Sequence, residues 1–154
     1  MKIIKIVSGI LALLALVLIA IAPVGPLPGV FIGGTSTDSP VQWPDTSAVH
    51  EIKLKVPGTL PRVVIIWVID HKDELYVAGS SDSGWVKMVG EGAPVDMRLA
   101  DNTYSLTASL MREGWEPMLQ AYVNKYQPDY PDIVASFSSS QEAQGQMSVF
   151  KLSR

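Results

Sequence analysis

The chain contains no cysteine among its 154 residues, which excludes disulfides, thiolate metal sites and a lipid-modified cysteine anchor. Histidine is almost as scarce. His50 and His71 are the only two, each beside carboxylates and without metal-ligand spacing, and both read as solvated strand-end residues. An excess of positive charge is missing as well. With Lys2 and Lys5 set aside, the remainder carries 10 basic and 15 acidic residues, a net charge of −5, the opposite of a nucleic-acid-binding surface. Without covalent staples the folded part is held by its apolar core, for which about 120 residues suffice.

One long hydrophobic run is present. Ile6 to Ala22 reads IVSGILALLALVLIAIA, uncharged and preceded by Lys2 and Lys5. About 20 apolar residues match the hydrocarbon thickness of a bilayer. Lysines before the run and none just after it predict a cytoplasmic N-terminus with the rest on the extracytoplasmic side. A cleaved signal peptide is the alternative, with Ala20-Ile21-Ala22 as a small-x-small site, although Pro23 directly after it is a poor substrate residue. Residues 1–22 are therefore expected to be an anchor or signal segment. The Pro/Gly/Ser-rich stretch 23–47 is expected to be a linker with little regular structure, and 48–154 a single domain.

From His50 the pattern becomes β. HEIKLKV alternates Ile52, Leu54 and Val56 with charged residues, as in a strand with one wet face. RVVIIWVID is continuously apolar and β-branched, as in a central strand covered on both faces. The polar residues 70–73 return the chain into ELYVA, a first hairpin. PVDMRLA and DNTYSLTASLMR form a second, joined at Asp101-Asn102, and QMSVFKL is a last strand. Trp115, Met118, Leu119, Tyr122, Val123 and Tyr126 lie on one stripe of a helix over 116–126, with Pro128 past its end, and DYPDIVASF adds a short turn. Five or six strands with a packed helix predict a mainly β (α+β) fold closed into a small barrel, since an open sheet of this size would leave exposed edges.

Between the first hairpin and the second lies Gly79-Ser80-Ser81-Asp82-Ser83-Gly84, which reads three ways. As a serine nucleophile it is poor: His50, Asp70 and Ser83 imitate the chain order of one protease class, but that class builds its triad across two barrels, and G-x-S-x-G is absent. As an anion cradle it offers backbone N–H groups and hydroxyls between a strand and a short helix, with Lys87 nearby. As a plain connector it needs no function. Asp129, Asp132 and Glu113 read as surface charge.

The stretch RVVIIWVIDHKDELYVAGSSDSGWVKMV, with the following hairpin and EPMLQAYVNKY, resembles the FMN-binding split β-barrel superfamily over roughly residues 48–153. That superfamily includes pyridoxamine-phosphate oxidase-like and deazaflavin-dependent nitroreductase-like proteins. The resemblance implies a split β-barrel with one or two packed helices, a homodimer, and FMN or deazaflavin as cofactor in an oxidoreductase. It assigns the cofactor phosphate to Arg62, which opens the central strand, and to Ser80, Ser81 and Ser83 in the turn. Trp85 matches an aromatic just after the turn in deazaflavin-type relatives, and Lys87 a basic residue of their short helix. The chain departs from the oxidase-like pattern at Trp67, where they carry lysine, and at Gly84-Trp85, where they carry Arg-Lys; Trp67 and Trp85 are alternatively barrel core. Tyr104 and Tyr76 are candidate proton donors only because they lie on strands. The rival expectation is a non-enzymatic barrel that binds no cofactor.

Overall fold

The computed structural model describes residues 2–21, 23, 27–135 and 145–154, with side chains in the first helix given at 4–15 and 17. Residues 1, 22, 24–26 and 136–144 lie outside it. With them go the last alanine of the small-x-small triplet, part of the expected linker and the end of DYPDIVASF.

Helix α1 spans Lys2–Ile21. Among the described residues, no helix is long and apolar enough to cross a membrane.

Six strands build the domain: β2 Glu51–Val56, β3 Arg62–His71, β4 Glu74–Ser80, β5 Gly92–Leu99, β6 Asn102–Leu110 and β7 Met147–Ser153. They pair antiparallel in the order β6-β5-β2-β3-β4-β7, and β7 pairs back onto β6, closing a barrel. Closure leaves no long unpaired edge. A two-residue strand before them, β1 Thr35–Ser36, adds in parallel to β6.

Side-chain alternation explains the pattern of each strand. On β2 and β5, Leu54, Val56, Val95, Met97 and Leu99 point into the barrel, while Lys53, Lys55, Asp96 and Arg98 face out. β3 is apolar from Val63 to Ile69 because both of its faces are used. Val64, Ile66 and Val68 join the interior, whereas Trp67 and Ile69 pack outward under a helix. The β3–β4 turn places Lys72 and Asp73 at φ 57° and 61°, the left-handed pair that primed hairpin turns require.

Three helices complete the domain. The short α2, Gly84–Val89, plugs one end of the barrel with Trp85, Val86 and Val89. Helix α3, Glu116–Tyr126, lays Trp115, Met118, Leu119, Tyr122 and Tyr126 on the outer face of β3 and β4. The single turn α4, Pro131–Ala135, contributes Val134 to the same cluster. Trp67 is therefore not barrel core: it lies outside, half-buried and stacked on Tyr126 at 4.2 Å with the rings 7° apart. Trp85, by contrast, is core, 5.6 Å from Phe150.

The stretch expected to be a linker with little regular structure is, in its described part, docked along the barrel. Gly29 exchanges both backbone hydrogen bonds with Val63, and Trp43 is buried against the edge of Tyr104. Gly33 and Gly34 have φ of 67° and 85°, and a Cβ on Gly34 would lie 2.5 Å from Thr103 Oγ1 and 3.1 Å from the Asp101 carbonyl. Gly34→Ala is expected to peel this segment off, at a cost of roughly 1–2 kcal/mol from left-handed strain alone. Hydrogen exchange checks it through the Thr35 and Thr37 amides, which donate to Asp101 and Thr103 at 2.8 and 3.0 Å. They should lose protection while the barrel amides keep theirs; unchanged protection would show that the segment tolerates the Cβ.

Candidate functional site

The GSSDSG stretch runs off β4 into α2. Ser83 N–H donates to the Ser80 carbonyl at 2.9 Å, closing the turn. Ser81 ties it to the start of β7, its N–H on the Gln146 carbonyl at 2.9 Å and its hydroxyl 3.1 Å from that of Ser148. Ser80 is exposed, and its hydroxyl accepts from the Asp82 N–H at 3.3 Å. Ser83 precedes the helix without capping it. Its hydroxyl is buried and has no hydrogen-bond partner among the described residues. A buried hydroxyl without a partner carries an unrecovered desolvation cost, which an arriving acceptor would relieve.

Arg62 completes the cluster. Its guanidinium lies directly against Gly84, where any Cβ would collide with Nη1. Among the described residues the Arg62 side chain has no ion pair and no hydrogen bond. A rigid fork of donors without an acceptor, beside a donor-rich turn, suits an oxyanion. The expected residues are thus brought together at one end of the barrel, with two adjustments. Lys87 Nζ is engaged by Asp82 at 3.2 Å, on a pair that is largely solvent-exposed. Trp85 turns inward, its ring packed on Gly79 so closely that no Cβ fits there.

Next to the turn, a cavity of about 340 Å³ opens on the outer face of β3 and β4, lined by Ile65, Trp67, Ala78, Ser80, Tyr122 and Met147 among others. Its size falls within the roughly 300–1,000 Å³ of small-molecule sites, and an apolar wall with polar groups at one end suits a planar ring bearing a charged tail.

A larger hollow of about 750 Å³ lies at the other end, around Trp43, Asp45, Asp70 and Lys125. Its cation is already committed. Lys125 Nζ donates to the carbonyls of Thr46, Val49 and Val68 at 2.9, 2.8 and 2.8 Å, using all three hydrogens. Burial lowers its pKa, opposed by the carboxylates of Asp45 and Asp70. It fastens the docked segment and β3 to α3, and offers nothing to a ligand.

The other candidates separate in space. Asp70 pairs with Leu75 on β4, five residues before the turn begins at Ser80, which at about 3.3 Å per residue puts it roughly 16 Å from the turn, so His50, Asp70 and Ser83 form no triad. His50 instead pairs with Asp129 at 3.4 Å. No group of metal ligands occurs among the described residues. Tyr104 is buried beside Trp43, and Tyr76 is buried under α3; neither lines the slot. The role of Lys125 and the docking of residues 27–47 were invisible in the sequence. A lysine on a helix signals solvent, and only Trp43 hinted that this stretch is buried.

No protein-family model matches the chain, and no curated protein matches it in sequence. Solved structures do. A candidate general stress protein 26 from Jannaschia sp. CCS1 superposes with a TM-score of 0.50 at 10% identity, covering 70% of this chain and 67% of that one. HutZ, a heme storage protein from Vibrio cholerae, gives 0.47 at 13% identity, covering 68% and 80%. The FAD and heme binding protein from Mycobacterium smegmatis gives 0.46 at 14% identity, covering 70% and 62%. With six antiparallel strands closed between β6 and β7 and helices packed outside, the chain has a split β-barrel fold.

Proposed function

We propose that the chain binds a phosphorylated flavin or deazaflavin, with the phosphate at Arg62 and the Ser80–Ser83 turn and the ring in the adjoining slot. The observation that carries this reading is the Arg62 guanidinium packed on Gly84, next in the chain to the buried Ser83 hydroxyl, neither group having a hydrogen-bond partner among the described residues. Arg62 supplies charge and two parallel donors, the turn supplies hydroxyls and N–H groups, and Trp67 and Ile65 keep water from one side of the ring. A bound flavin or deazaflavin ring would supply the redox chemistry of an oxidoreductase, while the protein supplies orientation and electrostatics. Two copies form the working unit in this reading, as the sequence resemblance implies. The same reading keeps α1 as a membrane anchor with the barrel on the extracytoplasmic side, supported by the uncharged run Ile6–Ala22 and the two lysines before it.

A second reading, a barrel that binds no cofactor, is favoured by the engagement of Lys87 with Asp82 and by the inward turn of Trp85. Titration of the purified full chain with FMN, a deazaflavin and heme, followed by absorbance, separates the two; the names of the solved structures decide only that heme belongs in the set. Saturable binding of a flavin or deazaflavin at tens of micromolar or below supports the first reading. Binding of none supports the second, and binding of heme alone moves the ligand class away from flavins.

A further inference from the structure

We infer that the barrel edge around the Gly29–Val63 bridge rests on the surface of a phospholipid bilayer, so that the slot beside Arg62 takes its ligand at the membrane. This rests on the membrane-anchor reading of α1. Leu27, Val30, Phe31 and Leu60 are exposed by 55, 43, 63 and 78%. Each lies within three residues of the bridge, hence within about 10 Å of it along the chain. Single exposed apolar residues are ordinary, but four around one bridge form an edge.

The chain itself names the occupant. Helix α1 presents Ile6, Ile10, Leu13 and Leu14 uncovered. From its last residue, Ile21, to Leu27 the backbone reaches at most about 22 Å. The Gly29–Val63 hydrogen bonds, at 2.9 and 2.7 Å, then clamp that short connection to β3. If α1 lies in the bilayer, the barrel cannot drift away, and the part of it nearest the helix is this apolar edge. Phe31 and the leucines suit the boundary between headgroups and acyl chains. The slot opens beside the edge: Ile65 lies two residues from Val63, and Ile133, on the slot's rim, is 49% exposed. A ligand entering there from the membrane would be amphiphilic, with an apolar body.

The absence of cysteine makes the test direct. Full-length Leu60→Cys, Phe31→Cys and Val41→Cys variants, each carrying an environment-sensitive fluorophore, would be reconstituted into phosphatidylcholine–phosphatidylglycerol vesicles with or without nitroxide lipids. Val41 is 95% exposed and lies away from the bridge, which makes it the control. The expected result is a blue-shifted emission at 31 and 60 that nitroxide lipids quench, with neither change at 41. Labels at 31 and 60 behaving like the label at 41, on protein that floats with the vesicles, would overturn the inference and leave the anchor standing. A blue shift that nitroxide lipids do not quench would show the edge covered by protein, such as a second copy, and would also overturn it. Protein that fails to float would remove the anchor and the inference together.

Discussion

Arg62→Ala is expected to weaken flavin binding by roughly ten- to a hundredfold, because a charge-assisted hydrogen bond contributes about 1.5–3 kcal/mol and about 1.4 kcal/mol is tenfold. The fold should be untouched, since the Arg62 side chain makes no hydrogen bond or ion pair within the described residues. Binding is read by flavin fluorescence and folding by urea denaturation of the same sample. Arg62→Lys should recover part of the affinity, restoring charge without the planar fork. Asp82→Asn should act in the opposite direction and more weakly. It releases Lys87 from a pair in which Asp82 is 97% exposed, an interaction that contributes at most about 1 kcal/mol. A several-fold gain is the upper bound for that variant. If Arg62→Ala binds FMN as tightly as the wild type, the phosphate lies elsewhere even though the fold stands.

The second large effect concerns stability. Tyr126 is fully buried where α3 meets β2 and β3. Its hydroxyl lies 2.6 Å from the His50 carbonyl and 2.8 Å from that of Val68, and accepts from the Val68 N–H at 3.0 Å. Tyr126→Ala removes a ring stacked between Trp67 and Tyr122 and should cost about 3–5 kcal/mol. Tyr126→Phe keeps the ring but leaves buried backbone groups without a partner, at about 1–3 kcal/mol. Urea midpoints at constant slope measure both, and a loss under 1 kcal/mol for the alanine variant would contradict this packing. The pH dependence follows from the same burial, which raises the hydroxyl pKa of both Tyr126 and Tyr122. Their contribution is fully present below about pH 10, where an unfolded tyrosine ionises, and declines above it because only the unfolded chain then loses the proton. Lys125, with its pKa lowered, works against this on the alkaline side, since its buried charge is relieved as the pH climbs. Tyr126→Phe should therefore flatten the alkaline loss of stability.

The barrel was legible because its strands alternate strictly at Ile52–Val56 and Val95–Leu99, and because α3 carries one clean stripe. The turn residues and Arg62 were legible as a cluster through the family resemblance, and the structure does bring them to one barrel end. Other features were hidden for physical reasons. β3 is apolar at every position from Val63 to Ile69, so periodicity could not say which face Trp67 takes, and it went outward. Apart from Trp43, the segment 27–47 is held mainly through its backbone, at Gly29, Ile32, Gly33, Thr35, Thr37 and Thr46, which leaves no pattern in side chains. The Lys87–Asp82 pair depends on side-chain reach across a turn, and five residues of spacing there fix no geometry.

The most direct measurement compares FMN with riboflavin on the wild-type full chain, since the two ligands differ only in the phosphate that the Arg62 cradle would hold. The expected result is FMN bound at least tenfold more tightly, with the difference collapsing in Arg62→Ala. Equal affinities for the two ligands would contradict the cradle and return the GSSDSG turn to a plain connector.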